Sequence, residues 1–224
     1  MTNARLELIR FGGDRPKPGL SQDLAALHSA LLDHSPLVLM GPDFMRSFYY
    51  SLLPADGAIF GAVAYVDQVP AGFIVATAEA ESFMMGSVRR HWLRLCWTMA
   101  MSVLKRPSRL LAMKEAYAIQ ANVQAQQVGA DTGELLSFGV LPDYRSRRFI
   151  KTTGIHVASE LFDVALEQMA ATGAKHIRAI VDKDNLEAQL FYRSKGWRIG
   201  LKSVAGWSVP TMEFVRDLES QKDC

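Results

Sequence analysis

The sequence predicts an α/β (α+β) fold in which a mixed central sheet of about six to seven strands is flanked by helices. The first observation is a hairpin: residues 58–66 and 71–77 are strand-like and are joined by the turn Asp67-Gln-Val-Pro. The second is a strand over residues 134–141, followed by a clear helical pattern and a further strand over residues 176–181. The third is a long helical stretch between the hairpin and the strand at 134–141.

Shorter patterns complete the sheet and the helices around it. They are a strand at 6–9, helices at 24–32, 44–53, 154–171 and 186–194, and strands at 197–204 and 211–215. Gly196 lies just past the last of these helices, where a C-cap glycine belongs. Because no internal repeat and no linker divides the chain, we expect one domain over residues 1–224.

The segment from about residue 78 to about residue 130 interrupts the strand pattern. Its helical composition and lack of strand alternation predict a helical insertion between the third and fourth strands. Residues 87–105 carry Trp92 and Trp97 and are apolar almost all round, which is typical of a buried helix. We therefore expect this helix to pack against the sheet or in a subunit interface, and we do not expect membrane contact.

Composition and charge limit the class of protein. Hydrophobic residues make up 49% of the 224-residue chain and the formal net charge is +2, which predicts a globular core and no nucleic-acid binding. The two cysteines, Cys96 and Cys224, have no spacing typical of a disulfide framework or a metal site. The first residues lack the pattern of a secretory signal. We therefore expect a cytoplasmic protein without a metal ion.

A cationic stretch precedes the helix predicted at 154–171. It supplies three cations and two hydroxyl groups: Arg147, Arg148, Lys151, Thr152 and Thr153. A helix N-terminus offers unpaired N–H groups and a partial positive charge, so cations beside it predict a phosphate site. Thr153 is suited to cap the helix, and Gly154 would allow a ligand to approach closely. A merely solvated basic loop is the alternative.

The helix predicted at 186–194 carries a second candidate group. Asn185 stands at its start, and Ala188, Phe191 and Tyr192 fall roughly on one face. This spacing places the Tyr192 hydroxyl near the end of the helix, facing the adjacent sheet. The alternatives are a helix N-cap for Asn185 and simple core packing for Tyr192.

Two segments carry a resemblance to a known family. They read Val140-Leu-Pro142-Asp-Tyr144-Arg145 and Asn185-x-x-Ala188-x-x-Phe191-Tyr192-x-x-x-Gly196-Trp197. In this order and separation they resemble the core of the GNAT acetyltransferases, and the hairpin at 58–77 matches the two strands that precede that core. The resemblance implies the GNAT fold and an N-acetyltransferase that uses acetyl-CoA. The acceptor amine would attack the thioester directly, without a covalent enzyme intermediate.

The resemblance also implies roles for individual residues. Backbone groups of Phe138, Gly139 and Val140 would bind the pantetheine arm of CoA, and Asn185 would contact that arm. Tyr192 would protonate the departing thiolate. Glu134 matches the position of a catalytic glutamate in some members, which would take a proton from the amine; a solvated carboxylate is the alternative. The pyrophosphate would bind at the loop and helix start, where the candidates are Arg145, Arg147, Arg148, Lys151, Thr152, Thr153, Gly154 and His156.

The sequence departs from the family between Arg145 and His156. Members usually continue from Tyr-Arg into Arg/Gln-x-x-Gly-x-Gly/Ala, whereas here Ser-Arg-Arg-Phe-Ile-Lys-Thr-Thr comes first. The loop is longer by about two helical turns, and His156 stands where a glycine is expected. Either the pyrophosphate loop is expanded or CoA binding is altered.

Three functions stay open from the sequence. The first is acetyl transfer to an amino sugar, a small metabolite or a protein amine. The second is a non-catalytic module that binds acyl-CoA as a sensor or interaction protein. The third, which rests on residues 87–105 alone, is a membrane-peripheral enzyme that acts on a lipid-linked sugar. A small-molecule amine is the partner that we expect, and a homodimer stays open.

Overall fold

The computed structural model describes residues 4–80, 82–105, 107, 131–200 and 210–218. Within these residues the centre is a seven-stranded sheet with the order β1-β2-β3-β4-β5-β7-β6. The strands are Leu6–Phe11 (β1), Phe60–Val66 (β2), Val69–Thr77 (β3), Thr132–Val140 (β4), His176–Asp182 (β5), Arg198–Ile199 (β6) and Thr211–Asp217 (β7). Both parallel and antiparallel pairs occur, so the predicted mixed sheet is confirmed.

Helices flank the sheet and also form the insertion between β3 and β4. They are Pro18–Leu31 (α1), Pro36–Leu39 (α2), Pro42–Phe44 (α3), a π-helical turn at Met45–Tyr49, Leu52–Ala55 (α4), Phe83–Arg90 (α5), Trp92–Lys105 (α6), Pro142–Arg145 (α7), Arg147–Thr153 (α8), Val157–Ala171 (α9) and Leu186–Ser194 (α10). The insertion predicted over 78–130 is helical where it is described. Residues 108–130 lie outside the described part of the chain.

The two faces of the sheet have separate hydrophobic cores. On one face, α9 packs over β2 and β3 and buries Leu161, Phe162 and Met169 completely. On the other face, α1 and the segment from α3 to α4 bury Phe48, Tyr49 and Tyr50 against the same strands. Both cores lie on the β2–β3 hairpin, which explains why the residues of that hairpin are apolar at almost every position.

The sheet opens between β4 and β5. These strands are parallel and pair only from Thr132 opposite His176 to Leu135 opposite Ala179. Beyond Leu135, β4 continues along β3 and β5 continues along β7. A β-bulge lies at the same level, because Val75 pairs with Ser137 while Ala76 pairs with Leu135, which leaves Leu136 as an extra residue. We call the resulting gap between Leu136–Val140 of β4 and Ile180–Asp182 of β5 the wedge.

Two boundaries differ from the sequence prediction after β4. The long helix predicted from Gly154 begins at Val157, and residues predicted as a basic loop form the short helix α8. The side chain of Ser146 caps α8 by accepting a hydrogen bond from Phe149 N at 3.2 Å. Gly154 ends α8 in the left-handed conformation, with φ of 74°. The extra residues after Arg145 therefore form a helix.

Helix α6 is buried on one side only. Met99 is buried, and Ser102 Oγ donates a hydrogen bond of 2.6 Å to the Met40 carbonyl. The side chain of Trp97, in contrast, is 71% exposed. Within the described part of the chain, one face of this helix packs on the protein as expected, and packing of the other face in a subunit interface stays a prediction. Among the described helices, none combines the length and the apolar character that crossing a membrane would need.

Candidate cofactor and acyl-transfer site

The carboxyl-terminal half of β4 forms one wall of the wedge. Phe138, Gly139 and Val140 pair with Ile74, Phe73 and Gly72 of β3. On their other side, within the described residues, no β5 residue pairs with them. Backbone N–H and C=O groups require a partner, so this edge of β4 is suited to hydrogen-bond the amide groups of an extended ligand. The structure therefore brings these three predicted residues together in one wall.

Aromatic rings line the inner end of the wedge. The ring of Phe138 lies 5.4 Å from that of Phe191 on α10 and 6.3 Å from that of Phe162 on α9 (centroid distances). Phe162 and Phe191 are themselves 5.2 Å apart, edge to face. Residues from three elements thus meet here, and they provide an apolar surface beside the open backbone of β4.

Tyr192 lies behind these rings. Its side chain is 5% exposed, and its ring stacks on Phe214 of β7 at 5.5 Å and packs against Trp197 at 5.0 Å. Burial raises the pKa of the Tyr192 hydroxyl above its ordinary value. The phenol carries its proton at neutral pH with or without this shift, and the shift makes the hydroxyl a weaker acid. The expected position of Tyr192, near the end of its helix and facing the sheet, matches this packing.

Asn185 begins the helix that carries Tyr192. Its side-chain oxygen accepts a hydrogen bond from Ala188 N at 3.0 Å, so the residue is the N-cap of α10. The cap fixes the first turn of α10, and seven residues later the same helix presents Tyr192. Asn185 itself is exposed. The capping interpretation is thus confirmed, and a contact with the cofactor arm stays a prediction.

An ion pair joins the two sides of the wedge at the surface. Arg145 of α7, which follows β4, pairs with Glu187 of α10, which follows β5. Both side chains are largely exposed. Because the pair spans the opening, Arg145 lies near the wedge as predicted, but its guanidinium is engaged by a carboxylate.

The N-terminus of α9 is the anion site that the fold offers. His156 is the N-cap residue and makes no capping hydrogen bond through its side chain. The first N–H groups of a 15-residue helix lack helical partners and carry a partial positive charge. Gly154, two residues earlier, has open space where a side chain would stand. Of the predicted phosphate residues, Gly154 and His156 are the two placed directly at this helix start.

The remaining predicted phosphate residues belong to α8. Thr153 does not cap the long helix, because its hydroxyl donates to the Phe149 carbonyl and accepts from Ile155 N. Arg148, Thr152 and Thr153 line a cavity with Asp67 of the β2–β3 turn. That turn lies on the side of β4 away from β5, so the three are not directed to the wedge.

Arg147 and Lys151 complete the set on α8. Both side chains are exposed. The structure thus gathers the predicted basic stretch on a helix of its own rather than at the first turn of α9. Contact of Arg147 or Lys151 with a phosphate stays a prediction, because exposed side chains of this length can reach several positions.

Glu134 lies in the amino-terminal half of β4, in a buried ion cluster. Its side chain is 12% exposed, and one carboxylate oxygen, Oε2, accepts from Arg178 Nε at 2.8 Å and lies 2.7 Å from Arg178 Nη2. Glu213 of β7 lies 3.8 Å from the same guanidinium. Burial raises the pKa of Glu134; the nearby guanidinium opposes this shift, and Glu213 adds to it. Glu134 is therefore not a solvated carboxylate.

Sequence reasoning missed Arg178 and Glu213. Each is a charged residue with apolar neighbours on both sides in its strand, and opposite charges on neighbouring strands are a signal for a buried pair. Tyr49 lies close enough that Glu134, after burial itself, raises the pKa of its hydroxyl. The cluster of Glu134, Arg178, Glu213 and Tyr49 is thus a second polar group, at the closed end of the wedge.

Comparison with known proteins identifies the family. The model of the acetyltransferase (GNAT) family matches residues 27–197. This range is most of the chain and includes the wedge, α9 and α10. The chain belongs to the acetyltransferase (GNAT) family. No curated protein sequence matches it.

Solved structures support the fold at low sequence identity. A GNAT-family acetyltransferase from Staphylococcus aureus is similar with a TM-score of 0.54 at 11% identity, covering 96% of this chain and 99% of the other. Aminoglycoside 6'-acetyltransferase type Ii has a TM-score of 0.54 at 17% identity, covering 95% and 97%. Arabidopsis thaliana NAA60 in complex with acetyl-CoA has a TM-score of 0.50 at 13% identity, covering 96% and 99%. At these identities the likeness concerns the fold.

Proposed function

We propose that this protein is an N-acetyltransferase that moves the acetyl group of acetyl-CoA to a primary amine. The observation that carries the proposal is the wedge, where the backbone of Phe138–Val140 has no β5 partner. Membership of an acetyltransferase family supports the reaction class. A similar fold solved with acetyl-CoA supports the choice of donor.

The residues of the wedge fit this donor. The backbone edge of β4 suits the amides of a pantetheine arm, and the first turn of α9 suits a pyrophosphate. Acetyl-CoA supplies an activated acyl group as a thioester. In our proposal the protein holds the donor along β4 and excludes water with the rings of Phe138 and Phe191.

Tyr192 is the proposed proton donor. When the amine nitrogen bonds to the acetyl carbon and the carbon–sulfur bond breaks, the thiolate must receive a proton. A phenol is protonated at neutral pH and can give its proton to a thiolate that forms beside it. Its position on α10, fixed by the Asn185 cap, would keep the hydroxyl in one place through the reaction.

Glu134 is the proposed proton acceptor for the attacking amine, directly or through water. Its raised pKa is the property that a base for this task needs. Arg178 holds one carboxylate oxygen and would keep the group ionised at neutral pH. The acidic residues Glu134 and Glu213 would also favour a cationic amine over a neutral acceptor.

A second candidate is a non-catalytic module that binds acyl-CoA. The observation that favours it is α8, which removes the basic residues from the first turn of α9.

We also propose that the protein is cytoplasmic. Cys96 is a free, exposed thiol, which fits the reducing environment of the cytoplasm.

A titration followed by a turnover assay tests the proposal. Acetyl-CoA should raise the unfolding temperature and saturate, because a ligand that binds only the folded state stabilises that state. Release of CoA thiol is then measured with panels of amino sugars, small amines and peptide amines. Binding without turnover on any panel would favour the module. The absence of a thermal shift with acetyl-CoA and with CoA would reject both candidates.

A further inference from the structure

Helix α6 presents an exposed apolar stripe to solvent. Leu93, Trp97, Ala100 and Leu104 are spaced by four, three and four residues, which places them on one face of the helix. Leu93 is 66%, Trp97 71% and Leu104 77% exposed. The small residue Ala100 is exposed as well. Large apolar side chains that stand exposed along one helix face mark an interaction surface.

The opposite face of α6 is anchored to the protein. Met99 is buried in the second core, and the hydrogen bond from Ser102 Oγ to the Met40 carbonyl ties the helix to the segment before α3. Leu95 also packs against that core. The helix therefore has a fixed orientation, and its exposed stripe is a defined surface of the folded protein.

Cations accompany the stripe, and acidic residues are missing from the same segment. Residues 82–105 contain Arg89, Arg90, Arg94 and Lys105 and no Asp or Glu, whereas the remaining residues contain 21 Lys and Arg against 23 Asp and Glu. Arg90 pairs with Asp56 at 2.8 Å. Arg89 and Arg94 are exposed. The whole positive excess of the chain thus lies in the segment that carries this one surface.

The exposed stripe changes the expectation from the sequence, which was no membrane contact: we propose that α5 and α6 dock the protein on an anionic lipid surface. Trp92, 56% exposed at the first turn of α6, and Trp97 would lie at the level of the lipid headgroups, as tryptophan does at membrane interfaces. Leu93 and Leu104 would enter the apolar boundary, and Arg89 and Arg94 would contact the headgroup phosphates. A helix with this division of residues lies in the interface rather than across it.

The two features together favour a lipid surface over other partners. An acidic protein or a nucleic acid would use the cations and leave the row of Leu and Trp side chains exposed. A second copy of the chain would cover the row but would bring like charges together around it. A membrane with anionic lipids covers the apolar stripe and also neutralises the cations beside it. Docking of this kind is independent of the proposed acetyl transfer.

Vesicle flotation of the purified full-length protein tests the inference. Vesicles are made of phosphatidylcholine alone or of equimolar phosphatidylcholine and phosphatidylglycerol. We expect flotation with the anionic vesicles, weakening as salt screens the headgroups, with a blue shift of tryptophan emission. The variant L93S/W97S should lower the partition coefficient at least about tenfold, and R89Q/R94Q roughly tenfold at low salt.

A matched control and an oligomer measurement separate the outcomes. The variant I9S/V69S removes two exposed apolar side chains on β1 and β3 and should float like the unchanged protein. Each variant is first checked for cooperative unfolding, and L104S replaces L93S/W97S if that variant fails. Failure of the unchanged protein to float with anionic vesicles, or equal flotation of L93S/W97S, would overturn the inference. So would light scattering that shows a dimer which L93S/W97S dissociates.

Discussion

The two halves of β4 differ in their pairing with β5, although they belong to one strand. The half from Thr132 to Leu135 pairs with β5 at every residue, and its Glu134 belongs to a buried ion cluster with Arg178. The half from Leu136 to Val140 pairs with β3 from Ser137 onward and leaves its other edge open to the wedge. The difference shows that the place where a parallel pair separates, rather than the composition of the strand, creates the candidate site.

The separation depends on groups from outside the strand. In the paired half, Arg178 on β5 satisfies Glu134, so charge links the two strands. In the open half, no described β5 residue pairs with β4, and Phe138 contacts rings from α9 and α10. Variants that affect only one half should therefore affect either stability or activity.

The largest expected effect is on stability, in the paired half. The substitution R178M should destabilise the fold by about 3–5 kcal/mol, because it leaves the Glu134 and Glu213 carboxylates buried without their cation. The exposed pair of Arg198 and Asp217 provides the control: R198M should cost less than about 1 kcal/mol. Urea unfolding measures both. Equal losses would contradict the view that the cluster joins β4 and β5.

The next effect is on turnover, in the open half. The substitution Y192F should lower kcat by about 10²–10³-fold with little change in the affinity for acetyl-CoA, because it removes only the proton donor. The control Y65F removes a hydroxyl that bonds Asp23 far from the wedge and should leave kcat unchanged. Thiol-release kinetics measure kcat for both variants. An unchanged kcat in Y192F would exclude Tyr192 from the mechanism.

The pH dependence of kcat/KM tests whether Glu134, which lies in the paired half, acts as the base for a reaction at the open half. If Glu134 is the base, kcat/KM should rise about tenfold per pH unit while the acid form predominates and level off above the raised pKa. The variant E134Q should lose this limb. A rising limb that persists in E134Q would assign the base elsewhere.

Stability should have the opposite dependence on pH at the same group. Because the pKa of Glu134 is raised on folding, its contribution is fully present below the unfolded value of 4.5 and is lost as pH rises through the folded value. Thermal unfolding of the unchanged protein and of E134Q over this range measures the difference. Identical pH dependence in both would contradict the raised pKa.

The smallest effect concerns the ion pair at the mouth of the wedge. Since Glu187 engages Arg145, E187Q should free the guanidinium and tighten binding of acetyl-CoA about two- to fivefold, whereas R145Q should weaken it by a similar factor. Calorimetric titration measures the affinity of each variant for acetyl-CoA. Changes in the same direction would show that Arg145 does not contact the donor.

Much of the fold could be predicted from the sequence. The hairpin, β4, β5 and α10 follow from apolar patterns and from turn residues such as Gly196, which has a φ of 80°. Asn185 stands at a helix start and Tyr192 follows seven residues later. Their relative position could be predicted because helical periodicity places them on roughly the same face. For this reason the α10 side of the candidate site agreed with the sequence.

The rest required tertiary information. Helix α8 depends on a Ser146 cap and a Gly154 stop, which are short signals inside a basic stretch that also suits a loop. Arg178 and Glu134 are 44 residues apart, and only the parallel register brings them together. The exposed stripe of α6 could not be predicted, because composition alone does not tell which apolar face of a helix finds a partner within the chain.

Hydrogen–deuterium exchange with and without acetyl-CoA tests the central claim most directly. The wedge-facing amides of Leu136–Val140 and the amides of the first turn of α9 should gain protection when acetyl-CoA is added, because the ligand would supply their missing partners. The amides of Thr132–Leu135 already pair within the sheet and should exchange at the same rate in both samples. Protection confined to other parts of the chain, with Leu136–Val140 unchanged, would contradict the account.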